Sequence, residues 1–453
     1  MDELYLKRLA RYQAAIALQV PDRIPISAGS NYFAEVFAGN TKQDFIYNSD
    51  QWLNSDRLFV ERYPEVDNLR SGRLWGPALD AVGWNMYKLP GRELSVDVPF
   101  QFVEGERLKA DEYDSFIENP GTFILETVLP RVFGDLKQNG SMRSNLAFLK
   151  GGLAAGVWGA LRRQRAAHLE GELSMPQSVA GAITSPFDTL ADGLRGLNGI
   201  MLDIFRQPDK VKAACDRIVP HIVNAALSGA DPKRRYPILM PLHRGCNPFL
   251  SPKQFDEFYW PTLKKTMSAL IEAGHTIRAY LEGDWGPNWH HYKELPKGKI
   301  ILDIDGPADI FKAKEEVGQY QCIAGGVPDS TLILGSPEDV RARVRLLCEK
   351  LGRDGGYIVN GGNGIPYDTK PENYRALIDA VLEFGRYKDT IDFEPQIHPE
   401  APERWNPPPQ GMLVPWQEKR REMGEIRGDE NLIQAGWEKI EAAAFNWLWL
   451  WLW

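Results

Sequence analysis

Residues 297–381 carry three short apolar runs, IILDI, CIAGG and YIVNGG. Each ends in a polar or Gly-rich loop and is followed by apolar residues at helical spacing. A repeated strand–loop–helix unit requires parallel strands joined by crossover helices. The same alternation extends towards the N-terminus. HTIRAYLEGDW reads as a strand and its loop, and RRYPILMPLHRG as a strand ending near His243. Between them Ser251 and Pro252 open a helix as N-cap and first helical residue, Pro261 breaks or kinks it, and Gly274 closes it. A strand is expected to end near Thr184, with helices over about 188–205 and 208–228. The first 19 residues form an amphipathic pattern, and IPIS from Ile24 is a candidate first strand. Residues 41–74 read as helices that cap the fold, 80–102 as β-type alternation around Pro90-Gly91, and 111–136 as mostly helix. The segment from 141 fits a helix start or a strand with its loop.

Strands are thus expected near 24, 100, 180, 238, 277, 300, 322 and 357. Eight strands with intervening helices predict a single (β/α)8 TIM-like barrel, with a helical N-terminal extension and a C-terminal helical tail. The division is 1–75 for the N-terminal extension and first strand, 76–390 for the rest of the barrel, and 391–453 for a Pro-rich linker, a helix over about 416–444 and a Trp/Leu tail. An open doubly wound sheet is the competing fold, but no GxGxxG follows the first strand. In a barrel the chemistry belongs to the loops after the strands.

Composition narrows the partners. A net charge of −8 without a basic run argues against nucleic acid. Four cysteines are too few for a disulfide framework and predict reduced thiols in the cytoplasm. The charged, amphipathic start has no signal-peptide core, and no apolar run is long enough to span a membrane. The terminal FNWLWLWLW is expected to dock on the protein's own surface or on a second copy, giving a homo-oligomer.

Loop ends offer candidate chemistry. His243, Glu282 and Cys322 sit at or near the ends of predicted strands, about one unit apart, and form a possible zinc set with an open fourth position. Each has a plainer reading: a hydrogen-bonded histidine, a strand-end carboxylate and a small buried hydrophobe. Cys246 competes with Cys322 as a local partner of His243. Asp284, Asp303 and Asp305 are candidate acids or bases, or helix caps. The loop holding Asn360 and Asn363 could present backbone N–H groups to an anion, or its glycines could serve only the turn. Arg244 is a candidate substrate contact, and His290-His291 reads as surface or lid.

The segments ITSPFDTL, FLSPKQFDEFYWPTLKK, CIAGGVP with LGSPEDV, and GGYIVNGGNGIPYDTKPEN resemble the uroporphyrinogen decarboxylase superfamily, which includes methyltransferases that work with corrinoid proteins. The resemblance implies one (β/α)8 barrel with its site at the strands' C-terminal ends, and it puts Phe187 and Asp305 among the substrate contacts. The loop SAGSNYFAEVFAG lacks the arginines that hold porphyrinogen carboxylates in the decarboxylases. Where the zinc methyltransferases carry His-x-Cys, this chain has Glu282 and Asp284, and their late Cys is replaced by a residue such as Asn363. The implied activity is zinc-dependent methyl transfer between a small O-, S- or N-methyl compound and a corrinoid protein. No corrinoid domain is evident, so the cobalamin would arrive on a separate partner. The alternatives are a metal-independent decarboxylase of a non-porphyrin acid and a non-catalytic scaffold subunit.

Overall fold

The computed structural model describes residues 2–29, 32–70, 72–138, 140–361, 364–400 and 414–450. Five parallel strands form the central sheet: β5 Ile238–Leu242, β6 Ile277–Leu281, β7 Ile300–Ile304, β8 Cys322–Gly325 and β9 Tyr357–Ile358, paired in chain order. These runs are apolar with few interruptions because helices cover the sheet, so no strand alternates between core and water.

Short pairings continue the sheet at both edges. β1 Ser27–Ala28 pairs in parallel with β2 Asn68–Leu69. Leu69 bridges Gln177, Ala182 bridges Leu239 of β5, and Ile26 bridges Val359, all in parallel. The segment 177–183 therefore lies between β2 and β5. The strand expected near 100 is elsewhere: β3 Tyr87–Lys88 and β4 Gln101–Phe102 form an antiparallel hairpin outside the main sheet. The place next to β1 is taken by Asn68–Leu69, inside the stretch expected to be helical. Two paired residues are too few to leave a period-2 signature.

Ser251 caps its helix and Pro252 follows at its first position, as expected. That helix winds as a π-turn over Phe255–Tyr259 before continuing as Trp260–Glu272, and Gly274 ends it with φ of 91°. The ambiguous segment from 141 is one long helix, Met142–Gly171. The C-terminal region holds two helices, Trp416–Glu422 and Glu430–Leu450. The second packs on its own chain. Ala442, Phe445 and Leu448 are buried, Phe445 faces the His221 ring at 5.1 Å, and Trp447 lies 5.8 Å from Phe148. No helix among the described residues is long and apolar enough to cross a membrane.

Candidate active site

β5 ends at Leu242, and the chain turns at once through His243 and Arg244. Asp188 fixes that turn. Its carboxylate accepts the backbone N–H of His243 at 3.1 Å and of Arg244 at 2.8 Å, and the hydroxyls of Tyr259 at 2.6 Å and Thr184 at 3.2 Å. Asp188 is fully buried, and burial pushes its carboxyl up against the pull of the neighbouring His243. One turn on, Asp192 takes the side chains of the same two residues. His243 Nδ1 donates to it at 2.9 Å and Arg244 Nε at 2.6 Å. Asp188 closes the short helix Pro186–Asp188 that Ser185 caps, and Asp192 sits in the π-turn Thr189–Arg195 that follows. Four-residue spacing aims both carboxylates at one partner.

On the other side of the imidazole, Nε2 lies 3.6 Å from Glu282 Oε2. Glu282 follows the last residue of β6 and hydrogen-bonds through its N–H to Leu242 O at 3.1 Å. Asp305 accepts Gly283 N–H at 3.1 Å and steadies that loop. Burial alone would lower the His243 pKa, but Asp192, Asp188 and Glu282 outweigh it and raise it from 6.5 to about 9. At neutral pH this favours the imidazolium, with Nδ1–H held by Asp192 and Nε2–H directed to the Glu282 side.

These groups open onto a cleft of about 790 Å³. Tyr87 and Phe102 of the β3–β4 hairpin, with Phe100 and Phe249, supply its aromatic walls, and Arg70 enters from the end of β2. His243, Arg244 and Glu282 therefore meet in one site.

The other candidates lie apart. Cys322 opens β8 opposite Ile301, at the strand's N-terminal end, and is fully buried against Tyr12, Ala15 and Ile16 of the first helix. Burial pushes its thiol up to about 12. The expected His243/Glu282/Cys322 zinc set is thus not assembled, because Cys322 belongs to the opposite end of the sheet. Among the described residues no three His, Cys, Asp or Glu side chains are placed to hold a metal ion. Cys246 does reach the cleft, but its thiol donates to His243 O at 3.1 Å and burial pushes it up to about 11.

Asp303 and Asn360 are core residues. Arg278 binds Asp303 Oδ2 through Nε at 2.8 Å and Nη2 at 2.6 Å, Asn360 donates to Asp303 at 2.9 Å, and Arg278 also donates to Ser27 at 2.8 Å. Both oxygens of Asp303 are thus engaged by buried partners within the core. Asp284 holds its own turn by accepting Gly286 N–H at 2.9 Å. Phe187 is buried against Tyr259, with centroids 5.5 Å apart, and does not face the cleft. Asn363 lies outside the described residues. Cys322→Ala is expected to leave both metal content and turnover unchanged and to cost about 1 kcal/mol of stability, the scale of deleting one small buried group. Elemental analysis and chemical denaturation would check this.

Sequence reading overlooked Asp188 and Asp192, although SPFDTLAD displays them four apart behind a Ser-Pro helix start. Arg70 carried no signal, since β2 was not recognised.

A family model for uroporphyrinogen decarboxylase (URO-D) matches residues 162–384, which include every residue from Asp188 to Asn360 discussed above. The match covers just under half of the chain, and over that stretch the chain is similar to the URO-D family. Uroporphyrinogen decarboxylase of Methylococcus capsulatus is 37% identical over 88 residues, 19% of this chain and 25% of that protein. That of Pseudoalteromonas translucida is 31% identical over 138 residues, 30% of this chain and 38% of that protein. The chain thus spans about a quarter to two-fifths of the length of these curated relatives. A methyltransferase from Methanosarcina mazei shares the fold of this chain, with a TM-score of 0.57 at 17% identity over 83% of this chain and 98% of that one.

Proposed function

We propose that the eight strand segments close into a (β/α)8 ring and that the cleft at their C-terminal ends transfers a methyl group. The donor is a small O-, S- or N-methyl compound, and the acceptor is a corrinoid protein that docks at the mouth. The observation that carries this reading is the His243 imidazolium, held between Asp192 and Glu282 in an aromatic cleft.

When a methyl group leaves a heteroatom as an electrophile, the bonding electron pair stays on that heteroatom and a proton must neutralise it. His243 Nε2–H is placed to give that proton, with Asp192 holding the ring by Nδ1 and stabilising its charge. Glu282, its side chain 55% exposed, can then return a proton to Nε2 from solvent. A corrinoid carrier would supply the reduced cobalt nucleophile that takes the methyl group. The donors here do not make the three-ligand zinc site first expected, so no step is routed through a metal.

The second reading is a metal-independent decarboxylase, favoured by the decarboxylase relatives. The same imidazolium would then protonate the carbon that carbon dioxide leaves. A porphyrinogen is a poor fit, since among the described residues the cleft lining offers only Arg70 and the Asp192-paired Arg244 as cations to a substrate with many carboxylates. Incubating the purified protein with methoxyarenes, methyl thioethers and methylamines, with reduced cobalamin as acceptor, separates the two. Methylcobalamin with the demethylated product supports methyl transfer. Carbon dioxide release without methyl transfer overturns it in favour of decarboxylation.

A further inference from the structure

Four arginines around the cleft are paired with acids. Arg73 meets Glu35 and Asp56, Arg165 meets Asp56, Arg278 meets Asp303, and Arg244 meets Asp192. Arg70 differs. It follows β2 directly and lines the cleft, yet among the described residues its side chain has no ion pair and no hydrogen bond. Burial weighs most on it, and the leading charge effects, from Arg278, Arg73, Arg162 and Arg165, are all repulsive; together they lower its pKa to about 10. It therefore stays cationic at neutral pH without a counter-charge. Holding an unpaired cation in such a place costs stability, and a bound anion would offset that cost.

The surroundings define what carries the anion. Tyr87 packs edge-on against Phe100 at 5.4 Å and Phe102 at 5.5 Å, forming one wall, and Phe249 lies under Arg244 at 5.0 Å. Such walls suit a flat ring. A guanidinium fork suits the two oxygens of a carboxylate. Position sets the length. Arg70 follows β2 and His243 follows β5, with only the segment 177–183 between them. Two strand spacings are roughly 10 Å at the backbone, a gap that one substituted ring spans once the side chains reach inward.

We infer that the ligand of this cleft is an aromatic carboxylate, with its acid group on Arg70, its ring among Tyr87, Phe100, Phe102 and Phe249, and its far substituent at His243. The inference rests on the cleft being the active site and deepens the reading above by naming the substrate class. Calorimetric titration of the full chain with 4-methoxybenzoate and with 4-methoxybenzamide tests it. The acid should bind roughly ten- to a hundredfold more tightly than the amide, the scale of a hydrogen bond to a charged group. Arg70→Gln should erase that preference, and Arg70→Lys should retain part of it. Equal binding of acid and amide, no binding of the acid, or an unchanged preference in Arg70→Gln would overturn the inference. If Arg70→Gln does not fold, the acid–amide comparison in the unaltered protein still decides. An intact preference without any methyl transfer would remove the functional reading and leave the carboxylate site standing.

Discussion

His243→Gln is expected to lower kcat roughly 10²- to 10⁴-fold, the range for losing a positioned general acid, while leaving the melting temperature within a few degrees. The side chain is 35% exposed and forms no part of the core, so the loss falls on chemistry rather than on folding. Glutamine keeps a donor but has no proton to transfer. The pH profile should show the same group. With the pKa raised to about 9, the acid form persists through neutral pH and activity should fall as pH rises past that value. Asp192→Asn removes the carboxylate on Nδ1 and should shift the falling limb towards 6.5. An unshifted limb in that variant would mean that another group titrates.

Asp303→Ala should have the largest effect on stability, a loss of about 3–5 kcal/mol, because it strands Arg278 as an uncompensated buried charge. Asp303 is 2% and Arg278 5% exposed, and Asn360 loses its acceptor in the same change. Urea denaturation would measure the loss. The double variant Arg278→Met, Asp303→Leu should recover much of it, since removing both charges leaves none unpaired. If Asp303→Asn instead abolished turnover with no change in unfolding free energy, the core assignment of Asp303 would be wrong.

The contrast between Asp303 and His243 shows what the sequence could reveal. Runs such as ILMPL and IRAYL declare parallel strands, and the residues that follow them, His243 and Glu282, fell where the strand–loop rule put them. Residues inside or at the start of a strand obey a different geometry. Cys322 opens its strand and Asp303 sits within one, so proximity in sequence to a functional loop said nothing about which end of the sheet each would face. Asp192 was hidden for another reason. It acts from a helix, on a residue that becomes its neighbour only when the segment 177–183 pairs with β5. β2 and its Arg70 were invisible because two paired residues carry no periodicity.

The most direct measurement is the titration of His243 by nitrogen-15 NMR, its signal assigned among the seven histidines with His243→Gln. A raised pKa means that the folded protein holds this proton more tightly than the unfolded chain does. The site then stabilises the fold below about 6.5, and that contribution is lost as pH rises to about 9. We expect an apparent pKa near 9 that drops in Asp192→Asn. A value at or below 6.5 in the unaltered protein would contradict the imidazolium on which the proposed chemistry depends.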